Sequence, residues 1–247
     1  MAERSGPATA RRGGPRGLLR LGAGLATALC VVALPLGLVA ANVRAVTLDR
    51  SFYLTEFARY DRGAFVGLAP DELRLVADAF IAYFQGPPSR LDVRLPRGGT
   101  LQPLFNEREL AHMEDVQALM HLVFRVQALA FAYVALYALG GLAWGRRAFL
   151  PLAAKVLVAG GVLTLGIIGV LGALAATDFS DLFLEFHLLS FSNDLWLLDP
   201  RTDNLIRLFP QEFFLDAAMR VVVFTVVEAL ALAVVGLVGL LVNRRTT

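Results

Sequence analysis

The residues best suited to proton chemistry in this chain of 247 are its three histidines, His112, His121 and His187. Imidazole takes or gives a proton near neutral pH without help from a metal. His112 lies in Glu109-Leu110-Ala111-His112-Met113-Glu114-Asp115-Val116. On a helix, Asp115 sits one turn away and could orient its ring. His121, nine residues on, falls on the opposite face of a straight helix. His187 lies in Phe186-His187-Leu188-Leu189-Ser190-Phe191-Ser192-Asn193-Asp194, a separate region. If His112 and His187 converged, they could serve as general acid and base; a lone histidine on an apolar face would be structural. Zinc would require a third ligand such as Asp115 or Asp194, and no H-E-x-x-H spacing is present. A serine hydrolase built on Ser190 or Ser192 lacks the glycine-flanked nucleophile turn.

The elements that position these groups are membrane helices. Hydrophobic residues make up 57% of the chain and charged residues 18%, and the mean hydropathy is +0.62. That composition is too apolar for an ordinary soluble domain. A span needs about 20 apolar residues, and the pattern predicts four, at 18–43, 118–144, 149–176 and 216–242. Arginines flank the first span at Arg11, Arg12, Arg16 and Arg20, the turn at 145–148 through Arg146 and Arg147, and the end through Arg244 and Arg245. The positive-inside rule places the tails, 1–17 and 243–247, and that turn in the cytoplasm of a cytoplasmic-membrane protein. The segments 44–117 and 177–215 then form an extracytoplasmic cap. A cleaved signal peptide is the rival reading of the first span, but its apolar run exceeds the usual ~7–15 residues. The arginines are spread along the chain, so nucleic acid is not an expected partner. Cys30, the single cysteine, excludes an intrachain disulfide and reads as a packing residue; Leu29 before it does not suit a lipidation site.

The expected fold class is thus a mainly α membrane protein, four transmembrane helices with a small α+β cap. Pro70 opens a cap helix with apolar residues at Leu73, Val76, Ala77, Phe80, Ile81 and Phe84, and Gly86 ends it. Leu91, Val93 and Leu95 alternate as a strand before a Gly98-Gly99 turn. An earlier strand is expected over 51–57. Asn106 and Glu109 suggest a capping box opening a helix that runs into the second span. Within the spans, Gly160, Gly161, Gly166, Gly169 and Gly172 suit close helix approach, and Arg125 and Glu228 fall at a similar depth, as an interhelical ion pair would require. The segment 177–215 carries Phe179, Phe183, Phe186, Phe191, Trp196, Phe209, Phe213 and Phe214. A membrane-interface belt and an enclosure for lipid chains both fit that composition.

The run 109–116 resembles a family of four-span bacterial membrane proteins that includes the lipoprotein intramolecular transacylase Lit. So does Phe186-His187, Phe191, Asn193-Asp194-Leu195-Trp196-Leu197-Leu198-Asp199-Pro200, Thr202-Asp203, Leu205-Ile206, Phe209-Pro210 and Phe213-Phe214. The resemblance implies a cap over four helices, with His112 and His187 as catalytic residues where cap meets membrane. It implies a diacylated lipoprotein as substrate, whose sn-2 acyl chain moves to the α-amino group of the N-terminal cysteine, and no cofactor. Phe186, Phe191 and Trp196 are then expected to form the pocket, with Asp115, Asn193, Asp194, Asp199 and Asp203 in support. Two readings from other classes stay open: a non-enzymatic cap that binds a lipid or protein partner, and a metal-dependent membrane hydrolase.

Overall fold

The computed structural model describes residues 15–246; the expectations placed on residues 1–14 and on Thr247 lie outside them. Four long helices dominate: α1 (Pro15–Thr47), α5 (Glu107–Gly145), α6 (Leu150–Thr177) and α9 (Gln211–Thr246). Between them stand α2 (Arg50–Arg59), α3 (Arg62–Val66), α4 (Pro70–Gln85), α7 (Phe179–Ser190) and α8 (Asn204–Leu208). Three stretches are long and apolar enough to cross a membrane: Leu19–Thr47, Glu107–Thr177 and Gln211–Arg244. The middle one doubles back through a tight turn at Arg146–Phe149, where Arg146 takes φ +47°, so it holds both α5 and α6.

The long helices pack without a wide polar core. α1 contacts α5, α6 and α9, while α6 runs along α9. Gly160 and Gly161 make the close approaches. A Cβ on Gly160 would stand 2.3 Å from Leu34 Cδ1, and one on Gly161 would stand 2.7 Å from the Ala229 carbonyl oxygen. Gly166, Gly169 and Gly172 have nothing within 4 Å of such a Cβ, so close packing accounts for only part of the glycine series. Cys30 packs with Leu34 and Val156 at 1% exposure. Tyr133 Oη donates to the Ala26 carbonyl at 2.9 Å, tying α5 to α1. The expected Arg125–Glu228 pair does not form. Glu228 instead accepts from Asn42 Nδ2 at 2.7 Å, and the same amide reaches Thr225 Oγ1 at 3.1 Å, joining α1 to α9. A nearer neutral donor on α1 satisfies the carboxylate, which leaves Arg125 to find another partner.

The cap is built on aromatic packing. α4 begins at Pro70 and stops at Gly86, burying Val76, Ala77, Phe80, Tyr83 and Phe84. Strand β1 (Arg94–Arg97) pairs antiparallel with β2 (Thr100–Pro103). Gly98 and Gly99 take φ of +57° and +84°, which a two-residue hairpin turn of this hand requires. Leu91, Val93 and Leu95 are all buried as their alternation predicts, although only Leu95 lies within the paired strand. The strand expected at 51–57 is a helix, α2. Its buried residues Phe52, Tyr53, Glu56 and Phe57 recur at helical spacing, and Asp49 caps it by accepting from the backbone N–H of Ser51 and Phe52. The cap and the burial pattern belong to a helix.

Candidate active site

Helix α5 carries His112 up to the cap and α7 carries His187 across to meet it. The helix start that sets His112 is tightly specified. Asn106 Oδ1 accepts from the Glu109 N–H at 3.0 Å, and Glu109 Oε2 accepts from the Asn106 N–H at 2.6 Å. The other carboxylate oxygen of Glu109 accepts from the Leu205 N–H at 2.5 Å. Asn106 also donates to Asp203 Oδ1 at 2.9 Å, and Asp203 Oδ2 accepts from the Asp199 N–H at 2.8 Å. Asp199 in turn holds Arg201. These contacts lock the loop 199–205 onto the base of α5, so Asp199 and Asp203 act on the scaffold and do not line the cleft described below. Burial at 1% exposure pushes the Glu109 carboxyl above the usual range, against the pull of its backbone donors.

The two imidazoles converge, with ring centroids 6.3 Å apart. Phe191 touches both, 5.2 Å from His112 and 5.7 Å from His187. Trp196 stands 5.0 Å, Phe186 5.3 Å and Phe183 4.5 Å from the His187 ring. The environments of the two histidines differ. His112 is 7% exposed, and its Nδ1 is buried with no hydrogen-bond partner. Burial first, then the neighbouring His187, push its pKa down to about 4, with Asp115 opposing. His112 is therefore a neutral imidazole at pH 7. His187 is half-buried, and its Nδ1 lies 2.7 Å from the Phe183 carbonyl. A carbonyl only accepts, so Nδ1 carries the proton and Nε2 keeps its lone pair in the neutral ring.

Asp115 does not orient the His112 ring. It accepts from Asn193 Nδ2 at 2.8 Å and so pins the loop after α7 to α5. The backbone carbonyl of Asn193 accepts from Trp196 Nε1 at 2.9 Å, holding the indole beside His187. Arg108 adds a second clamp, donating to the Asp194 carbonyl and lying 3.6 Å from its carboxylate. An open cleft of about 350 Å³ adjoins the pair, lined by Asp115, Leu119, Leu122, Arg125, Ser190, Phe191, Ser192 and Asn193 among others. Phe191 forms the wall between that cleft and the two rings. Among the described residues, no group of three His, Cys, Asp or Glu side chains is arranged to hold a metal ion. His121 stands apart, its Nε2 3.1 Å from the Phe84 carbonyl, as the opposite helix face predicts. The expected pocket left out Phe183, Arg108 and the cleft-lining Leu122. Phe183 precedes His187 by four residues, so a helix drawn over 179–190 would have revealed it.

A helical, membrane-integral protein with a histidine pair under an aromatic cap is the class that the fold and site define. The chain belongs to the lipoprotein intramolecular transacylase family Lit, which it matches over residues 28–214. The fold is that of the solved structure of the membrane-integral lipoprotein intramolecular transacylase Lit from Bacillus cereus. That structure is 20% identical, with 92% of this chain and 100% of that one covered and a TM-score of 0.70. A form of the same protein with a histidine-to-arginine mutation aligns at 21% identity, 95% and 100% coverage and a TM-score of 0.73. A histidine-to-alanine form gives 21%, 93%, 98% and 0.72. An uncharacterized protein of Aquifex aeolicus is 27% identical over 135 residues, 55% of this chain and 57% of that relative's length.

Proposed function

We propose that this protein is a lipoprotein intramolecular transacylase that moves the sn-2 acyl chain of a diacylated lipoprotein to the α-amino group of its N-terminal cysteine. The observation that carries this reading is the convergence of His112 and His187 in an aromatic enclosure beside an open cleft, in a chain of this family. The substrate amine has a pKa of about 8 and must lose its ammonium proton before it can attack. Asp115, at the cleft wall, pairs with the ammonium, which releases its first proton to water. The neutral amine nitrogen then attacks the sn-2 ester carbonyl carbon, forming the N–C bond and placing an electron pair on the carbonyl oxygen. His187 Nε2 takes the remaining excess proton from that nitrogen, as its tautomer allows. His112, held neutral by burial, donates a ring N–H to the oxyanion. Collapse breaks the C–O bond, and the proton held by His187 passes to the departing glycerol oxygen. The products are an amide and a free sn-2 hydroxyl, with no co-reactant. Because amine and ester belong to one molecule, positioning supplies a large part of the barrier reduction.

In this reading the chain crosses the membrane four times, by α1, α5, α6 and α9, with both ends in the cytoplasm. Four helices of 28 to 39 residues support that count, and the arginines at the α5–α6 turn support the orientation. The test is mass spectrometry of a reporter lipoprotein's N-terminal lipopeptide, from cells that lack their own N-acyltransferase and express this protein. An N-acyl lyso-lipopeptide is expected. A lipopeptide that keeps its diacylglyceryl group and free amine, with the protein present in the membrane, overturns the assignment.

A further inference from the structure

A second groove, of about 390 Å³, lies on the flank of α5 away from the histidine pair and is lined by Pro88, His121, Phe124, Arg125 and Ala128. One guanidinium lines it and a second lies against its Phe124 wall. Arg125 Nε donates to the His121 carbonyl at 3.2 Å, one turn towards the cap, so its side chain climbs out of the span towards the cap side. Arg44, in the last turn of α1, lies over the Phe124 ring at 5.1 Å and reaches Gln127 Oε1 at 3.4 Å. Nearby arginines each hold a carboxylate: Arg50 with Asp78, Arg59 with Asp216, Arg90 with Glu107 and Arg220 with Asp49. Arg44 and Arg125 have no such partner among the described residues. Two uncompensated cations at the edge of hydrocarbon are costly, and an anion relieves that cost through charge-assisted hydrogen bonds.

The surface below the groove says where the anion comes from. Leu129, Leu136 and Leu139 share the α5 face of Arg125 by helical spacing and are 71%, 69% and 64% exposed. Cationic head positions above an exposed leucine stripe match a phospholipid, with its phosphate at the arginines and its chains along the stripe. We infer that this groove binds an anionic phospholipid of the leaflet next to the cap, through Arg44 and Arg125. The site goes beyond the transacylase reading and does not depend on it.

Native mass spectrometry of the purified full-length protein, offered phosphatidylglycerol and phosphatidylcholine together, tests this. The wild type is expected to retain phosphatidylglycerol preferentially. Arg44→Gln and Arg125→Gln should each lower that preference about fivefold, Arg125→Lys should keep most of it, and Arg220→Gln should leave it unchanged. Equal retention of the two lipids by the wild type, or an undiminished preference in both glutamine variants, overturns the proposal. Displacement of phosphatidylglycerol by excess sn-glycerol 3-phosphate overturns the lipid assignment in favour of a soluble phosphate ester.

Discussion

The aromatic residues of 177–215 divide between two clusters that treat water differently. Phe209 and Phe213 turn into the cap core, each 6% exposed, where Phe209 lies 4.7 Å from Phe80 and Phe213 lies 5.1 Å from Phe52. Phe183, Phe186, Phe191 and Trp196 crowd around His187 but stay partly open, with Phe186 at 44% exposure. The first cluster closes upon itself and fixes the cap. The second stays partly exposed, as the proposed acyl-chain site requires. The difference lies in what each cluster packs against: α2 and α4 cover the first from two sides, while α7 lies at the rim with none of its residues buried.

The largest effect is expected at the histidines. His112→Ala and His187→Ala should each lower N-acylation about 10²- to 10⁴-fold, read by lipopeptide mass spectrometry, with the unfolding temperature little changed for His187→Ala. Truncation in the closed cluster should do the reverse. Phe209→Ala is expected to cost about 3–5 kcal/mol of stability, seen as a lower thermal midpoint in detergent. Phe186→Ala should barely move that midpoint yet slow the reaction; similar stability losses for the two would erase the distinction between core and enclosure.

The buried imidazole also makes stability depend on pH. His112 titrates near 6.5 in the unfolded chain and at about 4 when folded, so between those values the unfolded state binds the extra proton. Its contribution is whole above pH 6.5, declines as the pH falls, and by pH 4 about 3 kcal/mol has gone. Thermal unfolding of His112→Gln across that window should show a flatter profile than the wild type. The smallest effect is expected at Asn193→Ala, which frees Asp115 while the backbone acceptor of Trp196 stays in place. It should reduce the rate about fivefold, the equivalent of about 1 kcal/mol for one exposed hydrogen bond, at unchanged thermal midpoint.

Much of this arrangement was legible beforehand because it is written in local pattern. The Pro70 to Gly86 helix, the Gly98-Gly99 turn and the Asn106/Glu109 box each depend on neighbours within a few residues. Asp49 as the cap of α2 is equally local, although 51–57 was expected as a strand. The partners of Glu228 and Arg125 were not legible. Matching depth along two helices says nothing of their rotation about their axes, and Asn42 on a third helix took the carboxylate.

Where the apolar helices run and which side chains can move protons follow from the sequence, because hydrophobicity, turn chemistry and residue type are properties of the local chain. Tertiary structure alone decided that His112 and His187 meet, that one is buried and neutral while the other is held by the Phe183 carbonyl, and that Asp115 serves Asn193 and not the imidazole. Those outcomes depend on how α7 crosses α5, a contact between residues 75 positions apart whose geometry and dielectric arise only when the helices pack.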